Sequence, residues 1–265
     1  MINTDRYAVH RHLAHIMDTR LALLKHAPRQ IILAGADGDG GRSLLAARFP
    51  QARFREYDPR PDFLDDAAAV RKTGLLAKWT GKTVVQHCQS IAEPLGEPAD
   101  MLWANLSLLT ETAPVAVFEN WAAALKNGGL LFFSHLGGDS LADIRTLLAD
   151  NQISCPAPTL LDMHDLGDML FHHGFYDPVM DTEKLVLTYR SAEALLQDLS
   201  TLGAWQALQC DNPAAAENLI RQTWQQGGLR QITLETVFGH AVKKADLAAN
   251  EQEIRFIPRA EKKSS

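Results

Sequence analysis

Five short runs constrain this chain most: IILAG at 31–35, ARFREYD at 52–58, TVVQHC at 83–88, ADMLWANLSL at 99–108 and LLFFSHLG at 130–137. Between them lie stretches with helical spacing. Continuous apolar runs of this length are buried on both faces of a sheet, and parallel neighbours need a crossover, usually a helix. The alternation therefore predicts an α/β fold with a doubly wound, mostly parallel sheet and helices on both faces.

Apolar residues Val9, Leu13, Ile16, Met17, Leu21 and Leu24 recur at three- and four-residue spacing, which predicts an amphipathic helix over 5–26. Further helices are expected at 42–50, 62–81, 115–129 with glycine at its end, 139–150, 164–173, 191–202 and 213–226. Strands are expected near 184–190 and at 232–243. We read 1–245 as a single domain, with a cofactor-side half at 28–137 and a substrate-side half at 138–245, followed by a frayed tail at 246–265.

The 265 residues can bury a sizeable core, and 26 basic against 32 acidic side chains leave a net charge of −6. That balance offers no global field for nucleic acid or an anionic membrane. Cys88, Cys155 and Cys210 are odd in number, far apart in sequence and in no metal-ligand spacing, which points to a reducing compartment. There is no apolar leader and no run near the ~20 residues that span a bilayer. A soluble cytoplasmic protein is expected.

The turn GADGDGG at 35–41 stands between the first strand and a helix. A dinucleotide fold puts a glycine turn there, with an acidic residue about 20 positions on for the ribose, and Asp58 stands at that distance from Gly38. However, the glycine pattern runs Gly38, Gly40 and then Ser43. A pyrophosphate would also face Asp37 and Asp39 at like-charge distance. A ligand with cationic groups and no phosphate suits such a turn better. S-adenosylmethionine is one: it carries a sulfonium and an ammonium, and its ribose diol matches a carboxylate at the tip of the second strand. The other reading of Asp37, Asp39 and Asp58 is that they cap helices and make turns.

The second half carries a more specific pattern. ADMLWANLSL and LKNGGLLFFSHLGGDSLADIR, then DMHDLGDMLFHHGFYDPVMDTEKLVLTYRSAEALLQDLSTLGA at 162–204 and ITLETVFGHAVK at 232–243, resemble the malonyl-acyl-carrier-protein O-methyltransferases of biotin synthesis, the BioC family. The resemblance covers roughly 4–245. It implies a Rossmann-like class I methyltransferase fold with an antiparallel last strand, S-adenosyl-L-methionine as cofactor, and a malonyl group on acyl carrier protein as substrate. The family's first motif resembles LDLGCGTG. Here it falls on LAGADGDG, which brings Asp37 and Asp39 into the glycine turn.

By position, the resemblance implies that Gly35, Ala36, Asp37 and Gly38 touch the methionine moiety and that Asp58 and Pro59 serve the ribose. It places His87 and Cys88 by the adenine, and Asn105 beside the transferring methyl. Methyl transfer to an already ionised carboxylate needs positioning rather than a general base. Candidates for positioning the carboxylate are His135, His164 with Asp165, and Tyr189 with Arg190. His164 and Asp165 also read as a helix cap and first turn, Tyr189 as a buried anchor, and His172 and His173 as a helix terminus. A carrier-binding rim could include Arg71, Lys72, Lys78 and Lys82, which also read as a solvated helix face. DMHDLGD and PVMD also resemble the complex I assembly factors, for which arginine hydroxylation is the implied activity. The altered turn leaves a non-catalytic scaffold as a third reading.

Overall fold

The computed structural model describes residues 5–24, 26–73 and 84–245. In chain order the elements are α1 (Ala8–Arg20), β1 (Gln30–Ala34), α2 (Gly40–Arg48), β2 (Arg53–Tyr57), α3 (Pro61–Thr73), β3 (Val85–His87), β4 (Ala99–Asn105), α4 (Pro114–Ala123) and β5 (Leu125–Leu136). Then come α5 (Ala142–Asp150), α6 (Met163–His172), β6 (Phe175–Thr188), α7 (Ala192–Thr201), the single turn α8 (Ala204–Ala207), α9 (Pro213–Gln225) and β7 (Gln231–Lys243).

Seven strands form one sheet in the order β3-β2-β1-β4-β5-β7-β6. The first five pair in parallel, and β7 runs antiparallel to both β5 and β6. Chain order reverses direction at β1, whose neighbours are β2 and β4. In doubly wound sheets a ligand crevice lies at such a switch, beyond the carboxyl ends of the strands. Ile31 to Ala34 and Met101 to Asn105 are buried throughout, as strands covered by helices on both sides must be. One core packs α1, α2, α5, α7 and α9 on one face of the sheet, and a second packs α4 and α6 on the other.

Three elements depart from the expected pattern. The helix expected over 115–129 ends at Ala123, and LKNGG opens β5 instead. Gly128, at φ +74°, lies in the stretch where the β4–β5 register shifts. β6 begins at Phe175, nine residues ahead of the expected start, because Asp177-Pro178 makes a bulge on an edge strand rather than a break. α8 is too short to show periodicity. The far end of the 62–81 helix and the 246–265 tail lie outside the described residues.

Candidate active site

Beyond the carboxyl ends of β1, β2 and β4 lies a cavity of about 250 Å³, lined among others by Gly35, Asp58, Arg60, Phe63, Ser107 and Glu111. A cavity of about 830 Å³ is larger, but its walls are Pro28, Arg29, Phe49 and Arg53 at the opposite end of β1 and β2. Location at the switch point outweighs size here.

Each wall follows from local chain geometry. Gly35 adopts φ +97°, and a Cβ there would stand 2.6 Å from the Ser107 Cβ, so only glycine lets the turn after β1 lie against the turn after β4. Ser107 Oγ is buried without a hydrogen-bond partner. The Glu111 carboxyl lines the same space, and burial holds its pKa above the ordinary carboxylate value. Arg6 and Tyr7, ahead of α1, close the other side. The Tyr7 ring covers Gly38, where a Cβ would collide with it, and meets Phe63 edge-on at 5.4 Å. Arg6 lies over the Phe63 ring at 4.6 Å and pairs with Asp62 and Asp66 of α3.

The acids of the turn point into the protein. Both Asp37 oxygens accept the Gly41 N–H, at 2.9 and 3.2 Å, and Oδ2 also accepts from Asn105 Nδ2 at 2.9 Å. Asp37 thus caps the start of α2, while burial pushes its pKa upward. Asp39 adopts φ +70°, and its carboxylate accepts from Arg42, Ser43 and Arg71. Arg71 also forks onto Glu56 with two contacts of 2.8 Å. Two carboxylates buried to 5% and 1% exposure need such partners, and the chain supplies them itself. The expectation that these charges face a cationic ligand is therefore corrected.

Asp58 is fully buried at the tip of β2. Its Oδ1 accepts from the Arg60 N–H at 2.8 Å and Arg60 Nε at 2.9 Å, and its Oδ2 accepts from the Ala36 N–H and Arg60 Nη2, both at 2.8 Å. Four bonds fill the acceptor capacity of a carboxylate. Arg60 also stacks on Phe63 at 3.5 Å. The sequence reading missed Arg60, Ser107, Glu111 and Tyr7. Three of them follow β2 or β4, where the switch-point rule directs attention, and nothing in the spacing of Tyr7 ties it to the turn.

Asn105 is a hub: its amide donates to the His10 carbonyl at 2.8 Å and to Asp37, and its Oδ1 accepts from Ser134 Oγ at 2.8 Å. That ties α1 and the turn to β4 and β5. His87 stacks on Tyr57 at 4.6 Å, and Cys88 is exposed with Sγ 3.8 Å from the Pro59 carbonyl oxygen. Of the sequence candidates, Gly35, Asp58 and Pro59 line this crevice, while Ala36 bonds to Asp58 and Asn105 to Asp37.

The other candidates lie elsewhere or are engaged. His135 is buried, its Nε2 is 2.8 Å from the Thr159 carbonyl oxygen, and burial lowers its pKa to about 4, so it is neutral near pH 7. The Tyr189 hydroxyl donates to Asp198 at 2.9 Å, and Arg190 is exposed beside it. His164 and Asp165 are exposed in the first turn of α6, behind the capping Asp162. His172 ends the last turn of α6, and His173 pairs with Glu119. Arg71 is spent on internal ion pairs, Lys72 is exposed, and Lys78 and Lys82 lie outside the described residues.

A malonyl-[acyl-carrier protein] O-methyltransferase of Laribacter hongkongensis is 34% identical over 256 residues, covering 91% of this chain and 85% of that protein. The chain belongs to this family. A member from Gallionella capsiferriformans is 32% identical over 237 residues, covering 85% of this chain and 81% of its own. No protein-family model matches the chain. Among solved structures, the YcgJ protein of Bacillus subtilis superposes with a TM-score of 0.59 at 11% identity, covering 89% of this chain and 99% of its own. Phosphoethanolamine N-methyltransferase 2 of Haemonchus contortus, in complex with S-adenosyl-L-methionine, gives 0.56 at 17% identity, with 88% of this chain and 53% of that one covered. The [4+2]-cyclase SpnF gives 0.55 at 17% identity, covering 89% of this chain and 81% of its own. These likenesses establish the class I methyltransferase fold. A cyclase among them illustrates why the reaction must be argued from the family and the site.

Proposed function

We propose that this methyltransferase-family member transfers a methyl group from S-adenosylmethionine to the free carboxylate of a malonyl thioester on acyl carrier protein, as a step toward biotin. The crevice at the β1–β4 switch carries the reading. It holds a glycine at φ +97°, an orphan serine hydroxyl and a strand-tip carboxylate, a donor and acceptor set that fits a nucleoside bearing an amino-acid cation. Gly35 would admit the methionine part, Ser107 would find its missing partner, and Asp58 would accept ribose hydroxyls. Glu111 would face positive charge.

When bound, S-adenosylmethionine supplies a methyl group made electrophilic by the adjoining sulfonium. The protein's task is to align a carboxylate with that carbon in a water-poor space. Tyr7, Phe63 and Ile91 provide apolar cover around the crevice. Because Arg60 supplies three of the four bonds to Asp58, two of them from its side chain, a ribose diol must displace the guanidinium. The displaced Arg60 then becomes a cation at the crevice mouth, the kind of group a malonyl carboxylate needs. No side chain has to remove a proton. His10 and His135 stay uncharged near neutrality, with burial lowering them to about 3 and about 4.

The test is methyl transfer by the full chain from S-adenosylmethionine to malonyl-acyl carrier protein, followed by mass. The reading expects a methyl ester on the malonyl group and no product with acetyl-acyl carrier protein, which lacks the carboxylate. No methyl ester at any enzyme concentration would overturn it and favour the scaffold.

A further inference from the structure

Cys155 and Cys210 are 55 positions apart in sequence, yet the fold brings their two segments together. The chain runs antiparallel to itself here. The Asp211 N–H donates to the Ser154 carbonyl oxygen at 3.2 Å, and the Ala157 N–H donates to the Leu208 carbonyl oxygen at 3.1 Å. These two bonds flank the pair, so Cys155 and Cys210 lie on facing segments between them, with Ala157 and Gln209 in left-handed backbone. Both thiols are half-buried against the same core. The Cys210 thiol is pushed up mainly by burial, with Cys155 among the charges it feels.

We propose that Cys155 and Cys210 are a redox pair that closes to a disulfide, clamping the 154–157 loop to the segment behind α8. A disulfide needs their Cβ atoms about 3.5–4.5 Å apart, a span that segments bonded on either side of the pair can reach. The oxidant is a low-molecular-weight disulfide such as oxidised glutathione. One cysteine thiolate attacks it, forming a mixed disulfide and releasing one glutathione thiolate. The second cysteine thiolate attacks the protein sulfur of that bond and releases the other. The two protein thiol protons end on two glutathione thiols. Both protein thiols have raised pKa values through burial, so closure speeds up as pH rises toward their ionisation.

The clamp reaches the crevice. Gly203 and Gln206, beside and within α8, line the cavity, and Thr159 Oγ1 donates to the Ala207 carbonyl oxygen. The Thr159 carbonyl in turn meets His135 at the end of β5. Closing the bond makes this wall covalent and leaves Cys88, exposed beyond β3, as a free thiol.

The experiment incubates the folded full chain with oxidised glutathione, blocks remaining thiols, digests without reduction and reads peptide masses. The expected result is one cross-link joining the peptides of Cys155 and Cys210, lower by two hydrogens than their sum, with Cys88 blocked or carrying glutathione. Cys88→Ser should leave the link intact, whereas Cys155→Ser or Cys210→Ser should abolish it. The linked protein should unfold at a higher urea concentration than the reduced form, and dithiothreitol should reverse the shift. A link involving Cys88, glutathione adducts on Cys155 and Cys210 without a link, a link formed only in denaturant, or a link without the reversible rise in urea midpoint would each overturn the proposal.

Discussion

Asp58 and Arg60 form the decisive pair at the scale of single residues, because the Arg60 side chain holds two of the acceptor positions that a ribose would need. Asp58→Ala removes the acceptor and should weaken S-adenosylmethionine binding by about 1–3 kcal/mol, the range for a hydrogen bond to a charged group or a group left unpaired. An unchanged dissociation constant in calorimetry would remove Asp58 from the site. Tyr189 makes the opposite case. Its hydroxyl serves Asp198, whose pKa burial raises and this bond lowers. Tyr189→Phe should cost about 1–3 kcal/mol of stability in urea unfolding and leave methyl-transfer kcat unchanged. A large fall in kcat at full folding would return Tyr189 to the catalytic candidates. Asp58 was legible in the sequence because a strand-tip acid follows a glycine turn at a known distance. Arg60 was not, since an arginine two residues on has no pattern of its own.

At the scale of elements, the acids of the turn hold helices rather than ligand. Arg71 joins α3 to Glu56 of β2 and to Asp39 ahead of α2. Arg71→Met leaves the buried Glu56 without its cation and Asp39 with Arg42 alone, and should destabilise the fold by about 3–5 kcal/mol, read as a drop in urea midpoint. A drop below about 1 kcal/mol would contradict the ion-pair account. The two buried histidines set a pH dependence. His135 is pressed upon only by burial and the Thr159 carbonyl, whereas His10 also feels Arg60, Asp58 and Arg6. Both have folded pKa values below the unfolded 6.5, so their contribution is present above about pH 6.5 and is lost as pH falls toward about 4. Asp37 and Glu111 work the other way, because their raised values favour the folded state as acid is added. His135→Gln should therefore flatten the fall in stability between pH 6 and 5 by about 1.4 kcal/mol per pH unit. An identical slope would contradict the neutral, buried assignment. Elements misread from the sequence share a cause. LKNGG looks like a helix end, and the strand expected near 184–190 leaves out Asp177-Pro178, but sheet pairing turns both stretches into bulges that local composition does not display.

At the scale of the whole molecule, the doubly wound sheet was legible, because buried parallel strands leave continuous apolar runs and crossover helices leave periodic ones, whereas the antiparallel direction of the last strand was implied by the family resemblance alone. The location of the crevice followed from that topology. What the turn does with its charges was not legible, since the partners come from residues as distant as Arg71 and Asn105 and depend on burial that no spacing shows. Among the described residues no helix is long and apolar enough to cross a membrane. The central claim is that a turn with its acids folded inward still forms an S-adenosylmethionine site once Arg60 yields Asp58. The most direct test is calorimetric titration of the full chain with S-adenosylmethionine. Saturable binding at one site with a dissociation constant of roughly micromolar order is predicted; the absence of saturable heat up to roughly millimolar ligand would contradict the account.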